Sequence, residues 1–308
     1  MAQASDQPSS LPAAAVPLGA IAALVVLAIV WGGSIPATKL ALADMRPLTL
    51  TALRYLLAAP FCIPLLIGRR VPPVRALLAM LGLGAISGII GQIGQVLGVN
   101  LTAASVATVI GATIPVLFVL LAAVRLRQPL GPRHIAGLVC AFLGIALVAV
   151  GDPRHIADSN LAQGLLGDAL MLISAVAVAV YYVGSAELAT RYSALTVTAW
   201  TTLGSALCMV PVIVGELAVA PFQSSVSSWA VALYLGALVT VTGSWIWFKA
   251  LARVPARIAG SLQYLQPLVG VGLSAVLFGD RLDAWFAAGT VLVFIGIALS
   301  SAPARRRA

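Results

Sequence analysis

A chain of 308 residues that is 61% hydrophobic and 9% charged, with a mean hydropathy of +1.07, cannot clothe a water-facing surface, because a soluble domain carries about 25% charged residues. A net charge of +9 could suggest nucleic acid, but the basic residues cluster between apolar runs, so membrane topology accounts for them and nucleic-acid binding is set aside. Runs of roughly 20 apolar residues, without strict alternation, argue for transmembrane helices and against a barrel. The chain reads as an all-α polytopic membrane protein.

Residues 1–17 (MAQASDQPSSLPAAAVP) are polar and small and are expected to be disordered. They contain no Lys or Arg, so the apolar stretch that follows lacks the basic leader of a signal peptide and reads as a retained first helix. Ten spans follow in order: 18–43, 47–67, 75–97, 102–125, 132–151, 163–186, 193–214, 228–251, 257–278 and 283–302. Short connections rich in Pro, Gly, Ser or charge separate them. Residues 303–308 form a basic tail. Cys62, Cys140 and Cys208 each lie in an apolar run with no paired spacing, so they read as small hydrophobes and not as a disulfide or metal set.

The basic residues orient the spans. Arg69, Arg70, Arg75, Arg125, Arg127, Arg133, Arg191, Lys249, Arg253, Arg257 and Arg305–Arg307 fall on one side, and only Arg46, Arg154 and Arg281 on the other. Positive charge stays inside, so both termini are expected in the cytoplasm of a bacterial cell, with the protein in its inner membrane.

The segment FLGIALV at 142–148 returns as FIGIALS at 294–300, with five of seven positions identical. At the same offset of 152, Pro115 pairs with Pro267, Leu130 with Leu282 and Gly137 with Gly289. PLTLTALR (47–54) resembles ALTVTAWT (194–201), and Pro64 falls on Pro211, at an offset of 147. The chain therefore divides into a five-helix unit at 18–151, an outer loop at 152–162 and a second unit at 163–302. Because five is odd, the second copy enters the membrane from the opposite side, which gives the inverted repeat typical of secondary transporters. Pro115 and Pro267 sit inside their spans, where each removes a backbone hydrogen bond and kinks its helix, either to line a cavity or to improve packing.

The segment AGSLQYLQPLVGVGLSAVLFGDRLDAWFAAGTVLVFIGIAL (259–299), together with WGGSIPATKLAL (31–42), resembles the EamA-type repeat of the drug/metabolite transporter superfamily, closest to its YddG-type exporters of aromatic and other amino acids. The resemblance covers 18–302. One departure is Arg127-Gln128, where the second copy has Gly279-Asp280. The resemblance implies ten helices around a central cavity lined by helices 1, 3, 4, 6, 8 and 9, and export of small metabolites.

Polar groups inside a membrane are costly and mark candidate sites. Gln92 and Gln95 lie three apart on helix 3, and their counterparts at 152 are Ser244 and Trp247 on helix 8. Gln263 and Gln266 precede Pro267, helix 6 offers Tyr181 and Tyr182, and helix 1 offers Trp31, Ser34 and Thr38. Amides can meet both carboxylate and ammonium, and aromatic rings give an apolar wall, so a zwitterion with an apolar side chain suits the set. Each Gln could instead bond a neighbouring helix. Trp245 and Tyr234 read as lipid contacts or an interfacial belt. Lys39 and Arg54 could snorkel to headgroups or bind a carboxylate, and Lys39 is the candidate charge partner.

No Asp or Glu falls in the middle of a span (Asp168, Glu187 and Glu216 lie near ends), and His134 and His155 lie outside span interiors. The expectation is a monomeric secondary carrier that exports neutral or aromatic amino acids by facilitated alternating access, among membrane lipid and without metal or cofactor. The alternative is a multidrug or other metabolite exporter, proton-coupled or not. No paired acids or Ser/His set for an intramembrane enzyme, and no ATP-binding loop, is apparent.

Overall fold

The computed structural model describes residues 18–125, 132–150, 161–219, 221, 224–251, 262–263, 265–280 and 282–301. The 1–17 segment, most of the outer loop and the 303–308 tail lie outside the described residues. Helices make up the regular structure of the described residues: α1 Leu18–Gly32, α2 Ser34–Ala41, α3 Pro47–Leu66, α4 Val74–Leu101, α5 Ala104–Gly111, α6 Ile114–Arg125, α7 Pro132–Val150, α8 Leu161–Ala189, α9 Ala194–Val219, α10 Val226–Ala250, α11 Leu265–Phe278 and α12 Ala284–Ser301.

Among the described residues, six helical stretches are long and apolar enough to cross a membrane: α1 with α2, α3, α4, the 162–189 part of α8, α9 and α10. Four shorter apolar stretches lie at 104–118, 135–144, 265–278 and 284–296. Large apolar side chains point outward along these helices, among them Leu207 at 67% and Val276 at 82% exposure. An apolar surface this extensive suits lipid and not water.

Among the described residues, two apparent spans are broken. The first breaks at Gly33, where Ser34 Oγ donates to Trp31 O at 2.6 Å and Pro36 falls in the first turn of α2. The 102–125 span breaks at Ala112–Thr113, where Thr113 Oγ1 donates to Ile110 O at 2.7 Å. Pro115 is the second residue of α6, a position where a missing N–H costs least. Pro267 is likewise the third residue of α11 and is buried.

Both α4 and α10 widen into a π-helical stretch, at Ile86–Ile93 and Tyr234–Thr242. In the second, the hydroxyls of Thr240 and Thr242 reach the carbonyls of Leu235 and Ala237, five residues earlier. Such stretches re-aim side chains and recur at functional sites.

Glycines set the closest helix crossings, and the crossings come in matched pairs. A Cβ on Gly84 would overlap the Thr201 carbonyl, and one on Gly236 would lie 2.5 Å from the Arg54 carbonyl. Gly84 and Gly236 are 152 residues apart, and Arg54 and Thr201 are 147 apart. Helices α7 and α12 meet in the same fashion: a Cβ on Gly144 would lie 2.6 Å from Gly289 O, and one on Gly296 would lie 2.5 Å from Gly137 O. A third pair sets Gly91 against Val178 and Gly243 against Trp31. Each contact takes one partner from each half, and the two contacts of a pair exchange which half supplies the glycine.

The helix ends are tied together in two groups. At one end, Asp44 accepts from Ser225 N at 2.6 Å and from Ser228 Oγ, and Arg46 pairs with Glu216 at 3.3 Å. At that same end, Asp280 accepts from Ser105 N at 2.9 Å. At the opposite end, Arg125 pairs with Glu187 at 3.0 Å and Arg69 donates to Ser193 Oγ at 2.8 Å.

Candidate functional site: a buried guanidinium beside an aromatic cluster

The crossing at Gly236 brings α10 so close to α3 that Arg54 reaches the next turn of α10. Its Nε donates to Thr240 Oγ1 at 2.8 Å, and its Nη1 donates to Gln92 Oε1 at 2.5 Å. Arg54 is only 7% exposed and Gln92 is also buried. Arg54 therefore does not snorkel: it ties α3, α4 and α10 together inside the protein. Its own neighbour Tyr55 lies under the guanidinium at 5.8 Å, and Tyr182 and Tyr234 are within its electrostatic reach. Among the described residues, no carboxylate pairs with it.

Beside this cation stands an aromatic cluster from three helices. Trp31 of α1 lies 5.9 Å from Trp247 of α10 and 6.3 Å from Tyr182 of α8, and Tyr182 lies 6.4 Å from Trp247. Tyr181 lies tilted against Tyr182 at 5.3 Å and meets Phe248 edge-on at 6.5 Å. The indole of Trp31 is fixed by a bond from Nε1 to Val239 O at 3.0 Å, in the π-helical stretch. Gly243 is needed there, because a Cβ would overlap the Trp31 indole nitrogen. Ser244 is buried within side-chain reach of Tyr181.

Gln266 donates through Nε2 to Gln263 Oε1. Gln263 is 5% exposed, and among the described residues neither its Nε2 nor the buried Nε1 of Trp247 has an acceptor. Leu262, next to Gln263, packs against the same Leu24, Leu27 and Ala250 cluster as Trp31 and Trp247. Gln95 is half-buried on α4, one turn beyond Gln92.

The structure thus gathers Trp31, Tyr181, Tyr182, Ser244 and Trp247 into one neighbourhood, with Gln92 joined to it through Arg54. Ser34 lies at the break between α1 and α2, bonded to its own helix. Lys39 is directed elsewhere: its ammonium donates to Val99 O at 2.7 Å, Asn100 O at 3.2 Å and Thr102 O at 2.8 Å, capping the C-terminus of α4. All three of its donors are thereby spent. Tyr234 does not face lipid: its hydroxyl donates to Val30 O and joins α10 to α1. Trp245 lies under the Lys249 ammonium at 4.7 Å. Asp168, which the sequence places near a helix end, is 5% exposed, and its Oδ1 has no partner among the described residues.

Sequence reasoning left Arg54 between snorkelling and carboxylate binding and did not assign it to the site. The signal available was a lone charge about 10 Å into an apolar helix, at 1.5 Å per residue from Pro47. Among the described residues, no group of His, Cys, Asp and Glu could hold a metal ion.

The model of the EamA-like transporter family matches residues 18–150 and again 165–302. A probable terminal-alkyne amino-acid exporter of Streptantibioticus cattleyicolor is 28% identical over 91% of this chain and 92% of its own length. A probable amino-acid metabolite efflux pump of Escherichia coli is 26% identical over 91% and 93%. An uncharacterized transporter of Archaeoglobus fulgidus is 24% identical over 91% and 96%. A solved crystal structure covers 92% of this chain and 98% of its own with a TM-score of 0.65 at 21% identity, a likeness of fold alone. With two copies of one family's repeat filling almost all of a chain of apolar helices, this protein is a multi-pass membrane transporter of the EamA-like family, not an enzyme.

Proposed function

We propose that the chain is a secondary carrier that exports neutral or aromatic amino acids, or close metabolites, by alternating access. In this reading the two units at 18–151 and 163–302 are inverted five-helix repeats, ten spans in all, acting as a monomer in a bacterial inner membrane with both termini cytoplasmic. The observation that carries the reading is the exchange of roles between halves around one buried cluster: Gly84 against Thr201 with Gly236 against Arg54, and Gly91 against Val178 with Gly243 against Trp31. Halves that meet in this way can rock about a fixed central site and expose it to each side in turn. Sidedness agrees with the basic residues, because Arg69 and Arg125 share one end while Asp44, Glu216 and Asp280 share the other.

The substrate-binding residues assigned are Trp31, Ser34, Gln92, Gln95, Tyr181, Tyr182, Ser244, Trp247, Gln263 and Gln266. The helix break before Pro115 and the proline at Pro267 supply the deformable points. The charge partner is Arg54 and not Lys39, whose ammonium is occupied. The amino-acid assignment leans on the exporters named among the relatives.

The test is uptake of labelled Phe, Trp, Thr and Met, with Glu as a control, into proteoliposomes with and without a pH gradient. Saturable flux of neutral amino acids that ignores the gradient is expected; no flux above protein-free liposomes overturns the reading. Flux that requires the gradient favours a proton-coupled carrier, which the buried Asp168 with its unpartnered oxygen supports.

A further inference from the structure

A guanidinium keeps its charge in a protein. Burying one inside a membrane without a counter-charge is unfavourable, so such a residue marks a functional site by default. Arg54 spends one donor on a hydroxyl and one on an amide oxygen, and neither acceptor carries charge. The described acids lie elsewhere. Asp44, Glu216 and Asp280 serve one end of the helices and Glu187 the other, and Asp283 accepts from Phe286 N in the first turn of α12. Asp168 faces Thr102 on the 3–4 turn. The other unmet groups beside the aromatic cluster include two donors, the Trp247 indole N–H and the Gln263 amide N–H, and the Ser185 hydroxyl near Tyr181, which can also donate. Gln92 turns its oxygen to Arg54, which leaves its own NH2 available to an acceptor. Among the described residues the site offers a positive charge and unmet donors, and no carboxylate pairs with that charge.

We propose that Arg54 is the anchor for the substrate carboxylate, and that a carboxylate is obligatory for binding while an amino group is not. The planar fork of Arg suits a bidentate carboxylate. Thr240 and Gln92 fix the fork's orientation, and the Trp31–Tyr182–Trp247 cluster takes the apolar part of the ligand. This rests on the carrier reading above and narrows its substrate class. A purely structural Arg54, bridging α3, α4 and α10, would make no distinction among ligands.

The test is equilibrium binding to the purified full-length wild-type protein, read by intrinsic tryptophan fluorescence and confirmed by thermal shift. Three ligands share one ring: phenylalanine, 3-phenylpropionate, which lacks the amine, and phenethylamine, which lacks the carboxylate. A second pair, hexanoate and hexylamine, carries no ring. The expected result is that carboxylate ligands bind at least tenfold more tightly than the matched amines. Arg54→Gln is expected to lose that preference, and Arg54→Lys to retain part of it. If phenylalanine fails while phenylpropionate or hexanoate binds, the carboxylate anchor stands and the amino-acid reading falls. If amines bind as well as carboxylates, or no carboxylate binds, the proposal is overturned. The wild-type series decides even if the Arg54 variants fail to fold.

Discussion

Asp44 shows how single side chains hold one end of the helices together. Its carboxylate takes a hydrogen bond from the Ser228 hydroxyl and another from the Ser225 backbone. These bonds, Ser228 first, hold its pKa below the usual carboxylate value. A carboxylate with a depressed pKa stabilises the fold above the unfolded value, and that contribution disappears as pH falls through the folded one. The melting temperature in detergent is therefore expected to fall on acidification below the ordinary carboxylate range. Asp44→Asn should flatten that acid limb. A variant whose acid limb matches the wild type would show that this end does not depend on the Asp44 charge. The contrast with Lys39 is instructive: both polar groups lie near the same helix end, yet Lys39 caps carbonyls while Asp44 binds donors.

At the scale of helices, small residues decide which elements touch. Without a hydrophobic drive between helices in lipid, close packing through glycine takes its place. The α7–α12 contact is symmetric in its two glycines, so Gly144→Ala and Gly296→Ala should cost similar stability, about 1–3 kcal/mol each from overpacking. Because both act on one contact, the double variant should fall short of the sum. Thermal unfolding in detergent checks this; a large cost for one glycine and none for the other would break the reciprocity. The glycines themselves were legible: the match of FLGIALV with FIGIALS holds Gly144 and Gly296 at one offset. Their facing each other was not, since a repeat gives equivalence and not proximity. The break at Ala112–Thr113 was half legible. Pro115 pointed to a kink, but the sequence gives no reason for the helix to stop three residues earlier. The π-helical stretches of α4 and α10 carry no comparable sequence signal, because their cost is repaid only by tertiary contacts such as Trp31 with Val239.

For the whole molecule, composition and repeat were enough to read a helical membrane carrier. The aromatic and amide residues on helices 1, 3, 6 and 8 were legible from their polarity inside apolar runs, and the structure brings most of them together. Arg54 was not, because an arginine's position along a helix does not reveal which way it faces. Only the approach of α10 at Gly236 shows that it points inward, to Thr240 and Gln92. The central claim is that one site, enclosed by two role-exchanging halves, is open to each side in turn. The most direct test uses Ser34→Cys, at the break beside Trp31, with Cys62, Cys140 and Cys208 replaced by Ala. A membrane-impermeant thiol reagent is applied to right-side-out and inside-out vesicles, with and without phenylalanine. The account predicts modification from both faces, with the ligand shifting the balance between them. Modification confined to one face under every condition would contradict it.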